Sequence, residues 1–393
     1  MSLPLSHLTV LSLEQAVAAP FATRQLADYG ARVIKIERPG AGDFARGYDR
    51  TVRGLSSHFV WLNRSKESLT LDVKQPEARE VLHALVGRAD VFVQNLAPGA
   101  AARLGLDAAA LRARHPRLIV GDLSGYGSTG PCRDRKAYDL LIQSEAGLVS
   151  ITGTPDAPSK VGISIADIAA GMYLYSGILT ALLARERTGE GASIEVSMFE
   201  ALGEWMSYAA YYASYGGTPP PRTEARHATI APYGPFVAGD GRAVYLGIQN
   251  EREWARFCAE VLDEPALAND PRFQSNSDRV ANRDGLEARI TERFAACSGT
   301  EVVSRLESAG IAYARMNTML EFVEHPQLTA RDRWRTIGSP AGPLRALLPP
   351  ITMDGVDPVM GDVPALGEHT EAILAELGIA KDTVARWRAS GVV

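Results

Sequence analysis

Asp167 is the only charged side chain in the stretch VGISIADIAAGMYLYSGILTALLA, Val161 to Ala184. A carboxylate set among Ile, Ala, Gly and Met loses hydration on burial, so its presence there needs a reason. One reason is catalysis, because apolar surroundings shift a carboxyl group and shield its reaction from water. The other is local: Asp is a favoured N-cap, and a helix over Ile168–Arg185 would start directly after it. At this level both readings stand.

A second set of polar residues falls just after strand-like runs: Gln15 after LTVLSL, Arg38 after RVIKIE, Lys74 after SLTLD, Asn95 closing DVFVQN and Tyr126 after RLIVGDLS. Ligands of open parallel sheets bind at the carboxyl ends of the strands, which makes this edge the expected site. Lys35, Arg38, Lys66, Lys74, Arg103 and Lys136 are candidates to face an anionic ligand there. Each taken alone also reads as a solvated surface charge.

Other chemistries find no footing. The seven histidines are scattered, with no HExxH or paired spacing, so no metal site is expected. No GxSxG elbow and no GxxxxGK[ST] loop occurs. Gly125-Tyr-Gly-Ser-Thr-Gly130 matches GxGxxG, but Pro-Cys-Arg-Asp-Arg-Lys follows it where a dinucleotide fingerprint needs a helix. Cys132, Cys258 and Cys297 form no CxxC pair, which fits a reducing compartment.

The elements that must hold these residues alternate. Strands are expected at 8–13, 32–37, 68–72, 90–95 and 117–124, with helices from Pro20, from Glu77 to Gly87 and up to Arg114. This βαβ alternation, with near-continuous Val/Ile/Leu strands, predicts a parallel sheet covered on both faces. A further strand at 193–198 and a Tyr-rich helix follow Asp167. GGTPPPRTEAR (216–226) reads as a linker, and AVYLGIQ (243–249) opens a smaller unit rich in amphipathic helices. With 46% hydrophobic residues, 22% charged residues and a net charge of −5, the chain reads as soluble, without a nucleic-acid or membrane partner. MSLPLSHLTV lacks the basic and apolar regions of a signal peptide, so a cytoplasmic location is expected.

These pieces resemble a family, the class III CoA-transferases, which includes formyl-CoA transferase, carnitine CoA-transferase and α-methylacyl-CoA racemase. The resemblance runs through VLSLEQAVAAPFATRQLADYGARVIKIERPGAGD (10–43), LNRSKESLTLD (62–72), VQNLAPGAAARLGL (93–106), GYGSTGP (125–131), KAYD (136–139), ADIAAGMYLYSGILTALLARERTGEGASIEVSMFEA (166–201) and PYGPF (232–236). It implies a Rossmann-like large domain over 1–215, completed by 324–393, the linker 216–226, and a small α+β domain over 227–323. Two such chains would interlock as a homodimer.

The resemblance also implies that Asp167 is a nucleophile that attacks an acyl-CoA thioester and passes through a mixed anhydride and an aspartyl-CoA thioester, with CoA as substrate and no permanent cofactor. By position, the CoA contacts would be Gln15, Ala16, Arg38, Leu71, Lys74, Asn95, Arg103, Lys136 and Tyr138. Ala97 departs from the family, many members of which are basic at that position. The racemase branch uses a His where this chain has Tyr138, and a Glu where it aligns Gln249. Tyr is a poor base near neutral pH, which favours transfer over racemisation. Arg46, Arg50 and Arg53 are candidates to hold the second carboxylate of a small dicarboxylate acceptor, with succinyl-CoA as donor. A non-catalytic acyl-CoA-binding protein is the remaining alternative.

Overall fold

The computed structural model describes residues 3–393; the first two residues of the opening stretch lie outside the described residues. The chain divides into two compact units. The first comprises Met1–Gly147, Val161–Ser207 and Thr329–Val393, and the second Leu148–Lys160 and Tyr208–Leu328.

The first unit is built on six parallel strands, β1 (Thr9–Leu13), β2 (Arg32–Glu37), β3 (Lys66–Thr70), β4 (Val91–Gln94), β5 (Ile119–Ser124) and β6 (Ser193–Ser197). Their order across the sheet is β3-β2-β1-β4-β5-β6. That is the doubly wound order, whose direction reverses between β1 and β4 and opens a crevice there. Val10, Leu11, Val33, Ile34, Val91 and Phe92 are almost wholly buried, as expected where helices cover both faces. Each such side chain contributes about 1.5–3 kcal/mol relative to exposure. Residues near the far end of the chain finish this unit: the Asp72 amide donates to the Val392 carbonyl at 2.8 Å, and the His369 amide to that of Ser68 at 3.0 Å.

The apolar stretch around Asp167 forms one helix, Ile165–Thr188, of 24 residues. By length and composition it could cross a membrane; here it packs against the Ala18–Asp28 helix and against β5 and β6. Small residues allow that approach. A Cβ on Gly171 would lie 2.5 Å from the Ala18 carbonyl oxygen, so only glycine fits. Farther along, buried Arg185 is paired with Asp90 at 3.1 Å.

The second unit carries an antiparallel sheet of β7 (Tyr233–Val237), β8 (Ala243–Gly247) and β9 (Ala312–Arg315), in that order. Its core gathers Trp254, Phe257, Phe273, Leu286, Ile290 and Phe294. The segment read as a linker is not free. Arg222 donates to the carbonyls of Ser150, Thr154 and Pro155, and the Glu224 amide to that of Gly153. These bonds place 148–160 in this unit rather than in the large domain. A β10 (Trp334–Ile337) and β11 (Leu344–Leu347) hairpin belongs to the first unit.

Candidate active site

Asp167 is not the cap of its helix. The helix begins three residues earlier than the sequence pattern indicated, with Ser164 at the N-cap making no side-chain bond. The cap comes from another segment: Asp139 Oδ1 accepts the amides of Ala166 at 2.8 Å and Asp167 at 3.4 Å. Asp139 is held in turn by Gln143, whose Nε2 donates to Oδ2 at 2.7 Å. A carboxylate at the positive end of a helix is well placed. Asp167, inside the first turn, is freed from capping.

The electrostatics of Asp167 follow from that arrangement. It is half-buried, and burial, then the neighbouring Asp139 carboxylate, push its pKa up to about 7. Both causes disfavour the anion. The group therefore titrates near neutrality, and above that pH it is a poorly hydrated, reactive carboxylate. Sequence reasoning missed Asp139 as the group that acts on Asp167, although the KAYD motif held it.

Tyr48 was missed as well. Burial raises its phenol to about 12, and the nearby carboxylates of Asp43 and Asp167 add to that. It therefore stays protonated beside the carboxylate. Tyr138 is 64% exposed and caps the Asp139–Glu145 helix through its backbone. Tyr48 also packs edge-on against His58, with ring centroids 5.4 Å apart. The signal in the sequence was only an aromatic in ARGYDRTVRG.

At the crevice between β1 and β4, Gln15 and Asn95 bind each other. The Gln15 amide donates to Asn95 Oδ1 at 2.8 Å, and Asn95 Nδ2 donates to the Gln15 carbonyl at 2.9 Å. Ala16 follows in the left-handed region, with φ 63°. Arg38, Lys74 and Lys136 are exposed after their strands or on the loops beyond them, and exposed Arg103 ends the short Ala100–Arg103 helix. The Leu71 side chain is in the core, and its amide donates to the Glu37 carbonyl at 2.9 Å.

The basic set is smaller than the sequence suggested. Lys35 and Lys66 do not face a ligand: both side chains are fully buried, Lys35 on Asp43 at 2.8 Å and Lys66 on Glu14 at 2.7 Å. For Lys35, burial works against the charge, but Glu14, Asp43 and Glu37 outweigh it and hold its pKa up. Arg46 is also committed. Its guanidinium makes paired bonds to Glu37 at 2.7 and 2.8 Å, reaches the Pro364 carbonyl and lies over the Phe59 ring. Arg53 donates to the Pro343 carbonyl at 3.0 Å, and Arg50 is exposed. The Gly125–Gly130 loop leads to no helix before Asp139. Among the described residues no group of His, Cys, Asp or Glu is placed to hold a metal ion.

The model of the family described as "CoA-transferase family III" matches residues 5–370. The chain is 37% identical over 331 residues to the acetyl-CoA:oxalate CoA-transferase of Acetobacter aceti, covering 84% of this chain and 85% of that protein. It is 32% identical over 399 residues to the succinyl-CoA:glutarate CoA-transferase of Mus musculus, covering 99% and 90%. Among solved structures it resembles a CAIB/BAIF family protein from Brucella suis, with a TM-score of 0.82 and 34% identity over 96% of this chain and all of the other. A doubly wound sheet with a carboxylate poised at a helix start, matched along most of the chain by enzymes that move CoA, leads to one assignment: the chain belongs to CoA-transferase family III.

Proposed function

We propose that the chain transfers CoA from an acyl-CoA donor to a carboxylate acceptor by covalent catalysis at Asp167. The carrying observation is the environment of that residue: a half-buried carboxylate titrating near pH 7 in the first turn of a helix. An Asp167 oxygen adds to the thioester carbonyl carbon, the C–S bond breaks, and CoA leaves as thiolate from a mixed anhydride. The thiolate then attacks the Asp167 carboxyl carbon and expels the donor acid, leaving an aspartyl-CoA thioester. An incoming carboxylate reverses the two steps, takes the CoA and restores the Asp167 carboxylate. No proton is gained or lost over the cycle, so no general base is required. The protonated Tyr48 phenol is a hydrogen-bond donor for the oxyanions that form.

In this reading the Gln15–Ala16 turn, the Leu71 backbone, Asn95 and Tyr138 contact CoA, and Arg38, Lys74, Arg103 and Lys136 meet its phosphates. The acceptor is a small dicarboxylate and the donor succinyl-CoA or a similar thioester, in keeping with the names of the oxalate and glutarate relatives. Arg50 holds the distal carboxylate, since Arg46 is already bound to Glu37. The working form is a cytoplasmic homodimer. Leu140, Leu141, Ile163, Leu183 and Trp205, all exposed on the first unit, supply apolar surface for a second chain.

Mass spectrometry after incubation with succinyl-CoA tests the mechanism. A CoA adduct on the Asp167 peptide, absent in Asp167→Asn, is expected. An unmodified peptide during turnover, or deuterium exchange at the α-carbon of a branched acyl-CoA, overturns it.

A further inference from the structure

Asp43 closes the 10–43 stretch with no role of its own assigned to it, yet its carboxylate is spent entirely on groups that shape the site. The residue is 1% exposed. Its Oδ1 accepts the amide of Ala16 at 3.0 Å and that of Ala45 at 2.9 Å, and its Oδ2 accepts Lys35 Nζ at 2.8 Å. The first bond reaches the turn after β1. The second caps the short Phe44–Gly47 helix, which leads directly into Tyr48. The third anchors the carboxylate to a fully buried ammonium.

The turn needs such an anchor. Ala16 has φ 63°, a conformation in which an alanine persists only when its surroundings impose it. The anchor is itself rigid. Lys35 and Lys66 share Glu14, Thr23 Oγ1 donates to the same carboxylate, and Arg46 closes the set on Glu37. Lys35, Lys66 and Arg46 balance Glu14, Asp43 and Glu37, three cations against three anions, so removing any one partner strands a buried charge.

We propose that Asp43 is a positioning residue that holds the Gln15–Ala16 turn and the approach to Tyr48 in the one geometry that receives acyl-CoA. The inference rests on the reading of that turn as part of the CoA site. An anion is needed at this position while Lys35 faces it. An asparagine can give its oxygen to the two amides only by turning its NH2 toward Lys35, and the opposite orientation sets NH2 against both amides.

The test measures CoA binding by calorimetry, and KM and kcat by steady-state kinetics, in Asp43→Ala, Asp43→Asn and Asp43→Asn/Lys35→Gln. The single variants are expected to weaken CoA binding and raise KM for acyl-CoA about tenfold, as for loss of one good hydrogen bond, with a smaller fall in kcat. The double variant replaces the ion pair by an amide pair and restores KM to within about threefold. Asp43→Glu keeps the ion pair but moves the carboxylate by one methylene. It supplies the answer if the other variants do not fold, and is expected to raise KM at an unchanged Tm. Wild-type CoA affinity in a folded single Asp43 variant overturns the inference, as does a loss of kcat that merely follows the folded fraction. Failure of the unaltered protein to bind CoA would instead overturn the function proposed above.

Discussion

Asp167→Asn should make the protein inactive and more stable, and the gain in stability should depend on pH. The Asp167 carboxyl titrates near 7 in the folded chain against an ordinary value of 3.8. Between those values the folded state binds more protons than the unfolded state, so this residue's contribution becomes less favourable as pH rises from about 4 to about 7 and is level above that. The penalty integrates to about 2 kcal/mol at pH 5 and about 4 kcal/mol at pH 8. Asparagine cannot ionise and escapes it. The stability of the Asn variant relative to wild type should therefore grow by about 2.5 kcal/mol between the two pH values, whatever constant offset the amide adds. Urea unfolding at one fixed protein concentration reads the difference, which removes any effect of subunit association. A difference that stays flat between pH 5 and pH 8 would refute the claim that burial and Asp139 load this carboxylate.

The kcat/KM of the wild type should rise with an apparent pKa near 7, the value to which Asp167 is pushed, and Asp139→Asn should move that midpoint downward while its amide oxygen keeps the helix capped; an unmoved midpoint means Asp139 does not act on Asp167. Arg50→Ala should raise KM for a dicarboxylate acceptor about tenfold and leave KM for acyl-CoA unchanged, whereas Arg46→Ala, by stranding buried Glu37, should cost about 3–5 kcal/mol in unfolding assays.

The parallel sheet was legible because its strands are unbroken apolar runs separated by helical segments, a pattern with few other solutions. The exposed cations at strand ends were legible for the same reason: they follow directly from where each strand stops. Lys35 and Lys66 were misread because one sequence shows only that a lysine is near a strand end, while the carboxylates that bury it lie at Glu14 and Asp43. The capping of the Asp167 helix by Asp139 was hidden by separation along the chain, since a cap supplied from 28 residues upstream has no local signature. Tyr48 escaped notice because an aromatic residue in a loop does not reveal which carboxylate it will face.

The bonds from Asp72 to Val392 and from Ser68 to His369 carry a consequence for how the chain acquires its shape. They join residues 320 positions apart in the first case. The edge of the six-stranded sheet thus waits on chain synthesised some three hundred residues later, and contacts so distant in sequence are slow to form. Most of the second unit lies in one uninterrupted run, Tyr208–Leu328, and can organise while the first still lacks its last pieces. On the ribosome the unit that holds Asp167 is the later of the two to mature. The surroundings of Asp167 are therefore unfinished until most of the polypeptide has been made.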